Sequence, residues 1–443
     1  MDTPSSIKDL INFLDSSPTA WQAVAFLRNK FLQNDYIELL EHQTWNIQPG
    51  QRYFVVRNGS SFCAFVTPKN FPKQLRLLAS HTDSPGLKLK PQPEILKKGM
   101  LLLGVEVYGA PLLTSWLNRD LGIAGRILYT DLQQQIKESV VRLDRYPLTI
   151  PQLAIHLDRE ANEKGVILNK QEHLNALACL EKDFSQHSFL ETLLREEIDF
   201  DKLIAHDLFL FPLETARLTG YKNAFISSYR IDSLASVHAA YSALLNHSDS
   251  LEEEIKMVVF WDNEEVGSQS AQGAQSPFLS QVLQRLIEGL KGTKEDYFCL
   301  ISRSTCFSID LAHALHPNYT DKHDAQHQPL LGKGVILKCN AQHRYATSAR
   351  SLLPVKIFAG LEEMQLQYFV NRGDLPCGST IGPLHAAATG MATVDIGCGQ
   401  LSMHASRELM ASQDHIALCL LLERVMKTPQ AEWPIVVSEI QRS

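Results

Sequence analysis

The sequence predicts an α/β fold that carries an inserted, mostly β domain. A short apolar run, residues 257–261, is typical of a buried parallel strand, and the adjacent acids Glu264 and Glu265 follow it. Between residues 90 and 225, short alternating or apolar pieces are separated by turn residues, which is typical of β structure. Strand and helix patterns alternate again after residue 225. We therefore expect a larger domain built from residues 1–91 and 226–443, with residues 92–225 inserted into it.

Composition excludes several classes of protein. The 443 residues are 44% hydrophobic and 21% charged, as in soluble globular proteins, and no apolar run approaches the ~18 residues of a membrane span. The chain starts without the basic and apolar regions of a signal peptide, so we expect a cytoplasmic protein that binds no membrane. The net charge of -7 gives nucleic acid no electrostatic reason to bind. The eight cysteines form no Cys-x-x-Cys pair, which favours reduced thiols.

The first part of the chain predicts two helices, a hairpin and a strand that ends in polar residues. The helices cover residues 7–14 and 19–29, and Asn58-Gly59 between two apolar runs predicts the hairpin. An apolar strand over residues 75–80 then ends at His81 and Asp83. Residues two apart in an extended segment share a face, so Asp83 could accept a hydrogen bond from the ring nitrogen of His81 that does not face a metal.

The insertion predicts strands at 101–108, 123–129, 138–143 and 165–168, and helices at 174–181 and 188–197. It also holds His156 inside an apolar run that predicts a strand. From the residues alone, a histidine packed in the core is the preferred interpretation of His156, and a functional histidine is the alternative.

After residue 225, further acids follow predicted strands. Asp232 stands at the entrance of a helix, where a carboxylate also suits the helix dipole without any other role. A helix at 277–290 and strands at 299–302 and 306–309 lead to Asp310. The last strands are predicted at 334–338 and 393–397, and His404 ends a strand-like segment at 400–404.

Five side chains near the ends of separate predicted strands form a candidate ligand set. They are His81, Asp232, Glu265, Asp310 and His404. Two histidines and three carboxylates suit a pair of divalent cations, with Zn²⁺ the usual choice and one carboxylate bridging. Two such ions polarise a carbonyl and activate a water molecule, as in aminopeptidases. Glu264 would remain free to move a proton.

Motifs along almost the whole chain identify a known family. They are His-Thr-Asp-Ser-Pro at 81–85, Val-Glu-Val-Tyr-Gly at 105–109, Asn-Arg-Asp-Leu at 118–121, Leu-Ala-Ile-His-Leu at 153–157, Asp-Asn-Glu-Glu-Val-Gly-Ser at 262–268, Asp-Leu-Ala-His-Ala-Leu-His-Pro-Asn at 310–318, Gln-His-Arg-Tyr-Ala-Thr at 342–347, Cys-Gly-Ser-Thr-Ile-Gly-Pro at 377–383 and Gln-Leu-Ser-Met-His at 400–404. In this order they resemble the aspartyl aminopeptidases, which are cytosolic dinuclear zinc peptidases. The resemblance implies a zinc-peptidase-like sheet sandwiched by helices, with an inserted dimerisation domain.

The resemblance also implies a role for each candidate residue. His81 and Asp310 would bind one metal, Glu265 and His404 the other, Asp232 would bridge them, and Glu264 would be the general base. His156 resembles the family histidine that enters a neighbouring subunit's active site and stabilises the oxyanion. Lys338 and Tyr345 match positions that contact the substrate's acidic side chain, and His313 resembles another group that lines the pocket. The alternative for Lys338 is a lysine at a strand end that faces solvent. The implied assembly is a homo-oligomer, a dodecamer built from dimers, and the implied substrate is a peptide with an acidic N-terminus.

Three positions depart from the family pattern. Ser233 replaces an Asn after the bridging Asp, Asn118 replaces an Asp, and Gly397-Cys398-Gly399 replaces Gly-x-Pro. None of these changes removes a ligand or the base. Two alternatives stay open, namely an aminopeptidase of the same family that prefers neutral residues and a catalytically silent assembly protein.

Overall fold

The computed structural model describes residues 3–183 and 188–429, so residues 1–2, 184–187 and 430–443 of the predicted domains lie outside the described residues. The helices are α1 (Ser5–Ser16), α2 (Ala20–Leu32), α3 (Ala161–Lys164), α4 (Phe189–Arg195), α5 (Ile231–Asn246), α6 (Phe278–Gly289), α7 (Lys294–Arg303), α8 (Leu353–Leu361), α9 (Ile381–Thr389) and α10 (Ser412–Lys427). The strands are β1 (Ile37–Glu38), β2 (Arg52–Arg57), β3 (Ser61–Val66), β4 (Gln74–His81), β5 (Gly86–Lys97), β6 (Met100–Tyr108), β7 (Leu121–Thr130), β8 (Ile136–Leu148), β9 (Ala176–Leu180), β10 (Lys202–Pro212), β11 (Arg217–Thr219), β12 (Phe225–Ser228), β13 (Glu254–Trp261), β14 (Thr305–Ile309), β15 (Ala312–His313), β16 (Val335–Cys339), β17 (Leu366–Val370), β18 (Ala392–Gly397), β19 (Gly399–Leu401) and β20 (Glu408–Ala411).

A nine-stranded sheet forms the centre of the molecule, in the order β1-β2-β3-β13-β4-β14-β18-β16-β17. Strands β13, β4, β14 and β18 run parallel, and β2 and β3 form the predicted antiparallel hairpin beside the edge strand β1. Every residue of β13 is buried, as expected for a parallel strand covered on both faces. The prediction of an α/β fold is confirmed.

Helices cover both faces of this sheet because the apolar residues of its strands alternate between two cores. Val258 and Phe260 pack against α1, α2, α5, α8 and α10, whereas Met257 and Val259 pack against α6, α7 and α9. The predicted sandwich is therefore present. None of the helices in the described part of the chain is long and apolar enough to cross a membrane.

The insertion forms a second sheet of six strands in the order β8-β7-β10-β5-β6-β9. This sheet is antiparallel and has its own core. It begins at Gly86, before the predicted boundary at 92, and ends at Pro212, before 225. Strands β11 and β12 belong instead to a third sheet, in the order β11-β12-β20-β19-β15, which brings the end of the chain back towards the central strands.

Several local predictions are wrong. Residues 299–302 lie in α7 rather than in a strand, because Thr293 and Asp296 form a capping box that starts a helix there. Residues 176–180 form β9 rather than a helix, because they pair with the edge of β6. Residues 165–168 form no strand. His156 lies in an exposed turn rather than in a strand.

Candidate metal centre

Three neighbouring parallel strands deliver the first candidate ligands to one edge of the sheet. His81 is the last residue of β4 and lies opposite Trp261, the last residue of β13. Glu264 and Glu265 occupy the turn that follows β13, and Asp310 follows β14. Because parallel strands end at the same edge, these side chains converge where ligands bind in α/β proteins.

Asp232 and His404 reach the same edge from the third sheet. Asp232 follows β12, has non-helical backbone angles at the start of α5, and is joined to Ser233 by a cis peptide bond. His404 was expected at the end of a strand-like segment, but β19 ends at Leu401 and His404 lies in the turn beyond it, with a φ of 66°. The strand ends early because the turn reverses the chain into β20.

The two oxygens of the Asp232 carboxylate face different histidines. Oδ1 lies 3.3 Å from Nε2 of His81, which also lies 3.4 Å from Oδ1 of Asp310. Oδ2 lies 3.7 Å from Nε2 of His404, which also lies 3.4 Å from Oε2 of Glu265. Asp232 is therefore shared between two groups, each made of one histidine and one further carboxylate.

The rings of both histidines are held by main-chain carbonyls on their other nitrogen. Nδ1 of His81 lies 3.1 Å from the carbonyl oxygen of Asp83, and Nδ1 of His404 lies 3.2 Å from that of Ala110. A hydrogen on Nδ1 satisfies each carbonyl and leaves the Nε2 lone pair directed at the carboxylates. This is the tautomer that a metal-binding histidine requires.

Burial and mutual repulsion make this cluster costly without a cation. Loss of water and the charge of Asp310 raise the pKa of Asp232, and loss of water and the charge of Glu264 raise the pKa of Glu265 well above its usual value. Burial alone would lower the pKa of His81, but the neighbouring carboxylates raise it well above its usual value. Added positive charge would stabilise the cluster.

Glu264 lies in the same cleft but makes a different set of contacts. Its backbone N–H donates to Oδ1 of Asp83, at 3.1 Å, whereas no donor among the described residues contacts its carboxylate. Burial raises the pKa of Glu264 to about 8, and the charges of Asp310 and Asp83 add to the shift. Glu264 is thus a free carboxylate that binds protons readily.

Asp83 does more than the predicted contact with His81. Its Oδ1 lies 3.4 Å from Nδ1 of His81, but the His81 ring is closer to the Asp83 carbonyl oxygen. The carboxylate accepts hydrogen bonds from the backbone N–H groups of Glu264 and Glu265, both at 3.1 Å, and from the hydroxyl of Tyr108 at 2.7 Å. Asp83 therefore positions the turn that carries both glutamates.

The three residues expected to bind substrate line the same cleft, a cavity of about 180 Å³. Lys338 is 2% exposed, so the alternative of a solvent-facing lysine is wrong. Its Nζ donates to Oδ2 of Asp310 at 3.0 Å and lies 5.5 Å from the centre of the Tyr345 ring. Burial and the charge of Lys338 lower the pKa of His313 to about 4, so His313 is neutral and offers one N–H donor and one acceptor nitrogen.

His156 does not line the cleft of its own chain. Its turn exposes apolar side chains, with Leu153 57% and Leu157 75% exposed. Asn118, in the loop between β6 and β7, has a φ of 58°. Its side-chain oxygen accepts a hydrogen bond from the backbone N–H of Gln152 at 2.9 Å, which ties the residues before His156 to that loop.

The other two departures lie close to the ligands. Ser233 contacts the hydroxyl of Ser80 at 3.2 Å. Gly397 packs so tightly that a Cβ atom would lie 1.8 Å from the carbonyl oxygen of Asp310, and Cys398 is fully buried. The Gly397-Cys398 backbone thus holds the Asp310 segment from the adjacent strand.

Sequence reasoning missed two side chains that support the centre. Glu408, which is buried, accepts hydrogen bonds from the backbone N–H groups of Asp232 at 3.0 Å and His404 at 2.7 Å. Gln400 donates to Oδ2 of Asp232 at 3.3 Å. The one signal for Glu408 was an acid opening an apolar segment, which is too common in proteins to single it out.

An α/β sheet with buried histidines and carboxylates at its strand ends is the framework of a metal-dependent hydrolase. The family model for aminopeptidase I zinc metalloproteases (M18) matches residues 13–425, so the chain belongs to the M18 family of aminopeptidases.

Similar proteins cover almost the whole chain. It is 39% identical to a probable M18 family aminopeptidase 2 of Pseudomonas syringae pv. syringae, over 92% of this chain and 94% of the relative, and 41% identical to that of Pseudomonas entomophila, over 91% and 94%. Among solved structures, that of the Ape4 and Nbr1 complex has a TM-score of 0.91 and 36% identity over 96% of this chain and 85% of that one. The S. cerevisiae mApe1 dodecamer has a TM-score of 0.82 and 27% identity over 96% of both.

Proposed function

We propose that this M18 aminopeptidase is a dinuclear zinc enzyme that releases N-terminal acidic residues, Asp and Glu, from peptides. The observation that carries the two-metal proposal is the sharing of Asp232, whose two oxygens face two different histidines. His81 and Asp310 would hold one ion, Glu265 and His404 the other, and Asp232 both. Nitrogen and carboxylate ligands suit Zn²⁺.

The side chains that line the cleft suit divalent cations. Of the described residues that line the cleft, four carry carboxyl groups and one is a lysine, so the ionised carboxylates would outnumber the lysine and a cation would balance them. Oδ1 of Asp232 is buried and, within the described part of the chain, accepts no hydrogen bond of good geometry, although His81 lies near it. A buried oxygen with free lone pairs is costly unless it binds a cation.

Glu264 is the group that moves the proton. When bound, two divalent cations would polarise the scissile carbonyl and lower the pKa of the attacking water. The Glu264 carboxylate would accept a proton from the attacking water molecule and return it to the leaving amine. Positive charge close to Glu264 would lower its pKa below the metal-free value, so its carboxylate would be available as a base at neutral pH.

Lys338 is the best candidate for recognising an acidic side chain. A carboxylate entering the cleft must find a cation or strong donors, because an unpaired buried charge would cost several kcal/mol. Lys338 is the one lysine or arginine among the described residues that line the cleft. The hydroxyl of Tyr345 and the neutral ring of His313 can add hydrogen bonds. Lys338 also contacts Asp310, so it links the specificity pocket to the metal centre.

A comparison of substrates tests the specificity. The wild type should have a higher kcat/KM for N-terminal Asp and Glu than for Leu or Ala, and a preference for Leu or Ala would support the neutral-residue alternative. Lys338→Met should lower kcat/KM on all substrates, through Asp310, and lower it most for Asp. Lys256→Met is the matched control, because Lys256 is also a buried strand lysine but donates to the carbonyls of His247 and Asp249 outside the cleft. If kcat/KM fell equally for all substrates, Lys338 would not be the residue that recognises the acidic side chain.

The active site is also proposed to need a second subunit. His156 would enter a neighbour's cleft and stabilise the oxyanion, which is supported by its exposed apolar turn and by the dodecamer formed by a related structure. We propose the same homo-oligomeric assembly here, in the cytoplasm. Assembly is tested by light scattering and location by cell fractionation.

A further inference from the structure

A second group of histidine and cysteine side chains lies on one face of the central sheet, outside the cleft. His238 on α5 and His415 and Cys419 on α10 are buried between these two packed helices. His415 and Cys419 are four residues apart on one helix, so their side chains share a face. One donor atom from each of the three residues lies within 4.8 Å of the others.

The spacing of the donor atoms matches a tetrahedral metal site. Nε2 of His415 lies 3.0 Å from Nδ1 of His238 and 3.4 Å from Sγ of Cys419. Ligands around a tetrahedral Zn²⁺ are separated by about 3.3 Å for two nitrogens and about 3.6 Å for nitrogen and sulfur, from the usual bond lengths. Small side-chain rotations would bring both separations from His415 to those values, and the donor atoms of the third pair lie within 4.8 Å of each other.

Asp9 on α1 orients the first of these ligands. Its Oδ2 lies 3.4 Å from Nε2 of His238, on the ring edge opposite the cluster and without good hydrogen-bond geometry, and its charge favours a hydrogen on Nε2 and a free lone pair on Nδ1. Asp9 is itself held by Lys30, at 3.2 Å from Oδ1, and by the hydroxyl of Tyr241, at 3.2 Å from Oδ2. A carboxylate behind a histidine is the usual support of a metal ligand.

The alternative is a buried pair of histidines joined by a hydrogen bond, but it accounts for fewer of the contacts than a metal ion does. Nε2 of His415 has room for one hydrogen or one lone pair, yet both His238 and Cys419 approach it. One imidazole nitrogen cannot satisfy both partners with linear hydrogen bonds, whereas a cation placed among the three atoms is contacted by all of them.

We propose that His238, His415 and Cys419 form a second transition-metal site, separate from the active site, that binds Zn²⁺ between α5 and α10. The groove between α1, α2, α5 and α10 is lined by Asp9, His238 and Cys419, so it gives the metal an entry path and a water molecule as fourth ligand. The Cys419 thiolate and the Asp9 carboxylate balance the charge of the ion. The site ties α10 and α1 to α5, so its metal stabilises the fold.

Cobalt substitution separates this site from the active site, because no thiol belongs to the proposed dinuclear ligand set. The full-length protein, freed of metal and loaded with Co²⁺, should develop the near-ultraviolet charge-transfer band of a cobalt–thiolate bond. The band should persist in Glu265→Ala and in Cys377→Ser, the control cysteine beside Tyr345, and disappear in Cys419→Ser and His238→Gln. Absence of the band in the wild type, or its survival in Cys419→Ser, would overturn the proposal.

Affinity and stability give a second, independent readout. Asp9→Asn should weaken Co²⁺ binding at this site by 10- to 100-fold, the usual effect of losing a residue that orients a ligand. Added Zn²⁺ should raise the Tm of Asp232→Ala, which should lose both active-site ions, but not that of Asp232→Ala combined with Cys419→Ser. An equal rise in Tm for both proteins would also contradict the site.

Discussion

At the residue scale, the structure separates two adjacent glutamates by what surrounds them. Glu265 faces His404, whereas the Glu264 carboxylate meets no donor among the described residues and lines the same cleft. Adjacent residues in a turn point in different directions, which gives one residue a ligand position and the other a free carboxylate. Lys338 shows the converse, because the same side chain contacts Asp310 and is the group proposed to bind an acidic substrate side chain.

Glu264→Gln tests the assignment of the base. The amide has nearly the same shape but cannot take a proton, so kcat should fall by about 10²- to 10⁴-fold with KM little changed. The metal content, measured on the same samples, should stay at the wild-type value because Glu264 is not a proposed ligand. Glu288→Gln, on the exposed face of α6, is the control and should leave both quantities unchanged. A Glu264→Gln enzyme with near-normal kcat would exclude it as the base.

At the element scale, the candidate ligands could be predicted from the polar residues that follow apolar runs, whereas the side chains that support them from other elements could not. His81, Glu264, Glu265 and Asp310 follow apolar runs, and parallel strands must end together. Glu408 could not be predicted, because its contacts depend on the pairing of β20 with β12 and β19. Strand β12 is distant from β20 in the sequence, and β19 is joined to β20 by a turn. Such pairing leaves no local pattern in the sequence.

The wrong elements have similar causes. The pattern at 176–180 suits a helix locally, but pairing with β6 decides its structure. The apolar run around His156 resembles a strand but stays on the surface of the subunit, where apolar residues indicate a covered interface. Only α7 could have been found, from the capping box at Thr293 and Asp296.

The turn after β13 gives a prediction at this scale. Asp83→Ala would leave the backbone N–H groups of Glu264 and Glu265 without their acceptor, so the turn should shift and activity or metal affinity should fall by 10- to 100-fold. Unfolding should also become easier by about 1–3 kcal/mol. Tyr108→Phe removes only the hydroxyl donor to the same carboxylate and should have a smaller effect in kinetics, metal analysis and thermal unfolding. Wild-type activity in Asp83→Ala would show that the turn keeps its conformation without the Asp83 carboxylate.

At the scale of the whole molecule, the inserted sheet carries an exposed turn that suits contact with another subunit. It has its own core and carries the exposed turn around His156, while the cleft of the same chain lacks that histidine. A single chain would then be an incomplete enzyme, and oligomerisation would be required for catalysis.

Mixed assemblies test this directly. Glu264→Gln and His156→Ala should each be inactive alone, whereas mixing them with subunit exchange should restore part of the activity, because a His156→Ala subunit keeps its base and receives an intact His156 from its neighbour. A mixture of two separately prepared Glu264→Gln samples is the control. If exchange is confirmed by mass spectrometry and no activity returns, the shared site is wrong.

The most direct test of the two-metal centre is a count of bound zinc in variants of Asp232. The count is made in a Cys419→Ser background so that it reports the active site alone. Asp232→Ala should lose both ions and all activity, because its carboxylate is shared, whereas His404→Ala should lose chiefly the ion that it binds with Glu265. If Asp232→Ala kept one ion as firmly as the wild type, or if the metal-free wild type remained fully active, the dinuclear centre would be contradicted.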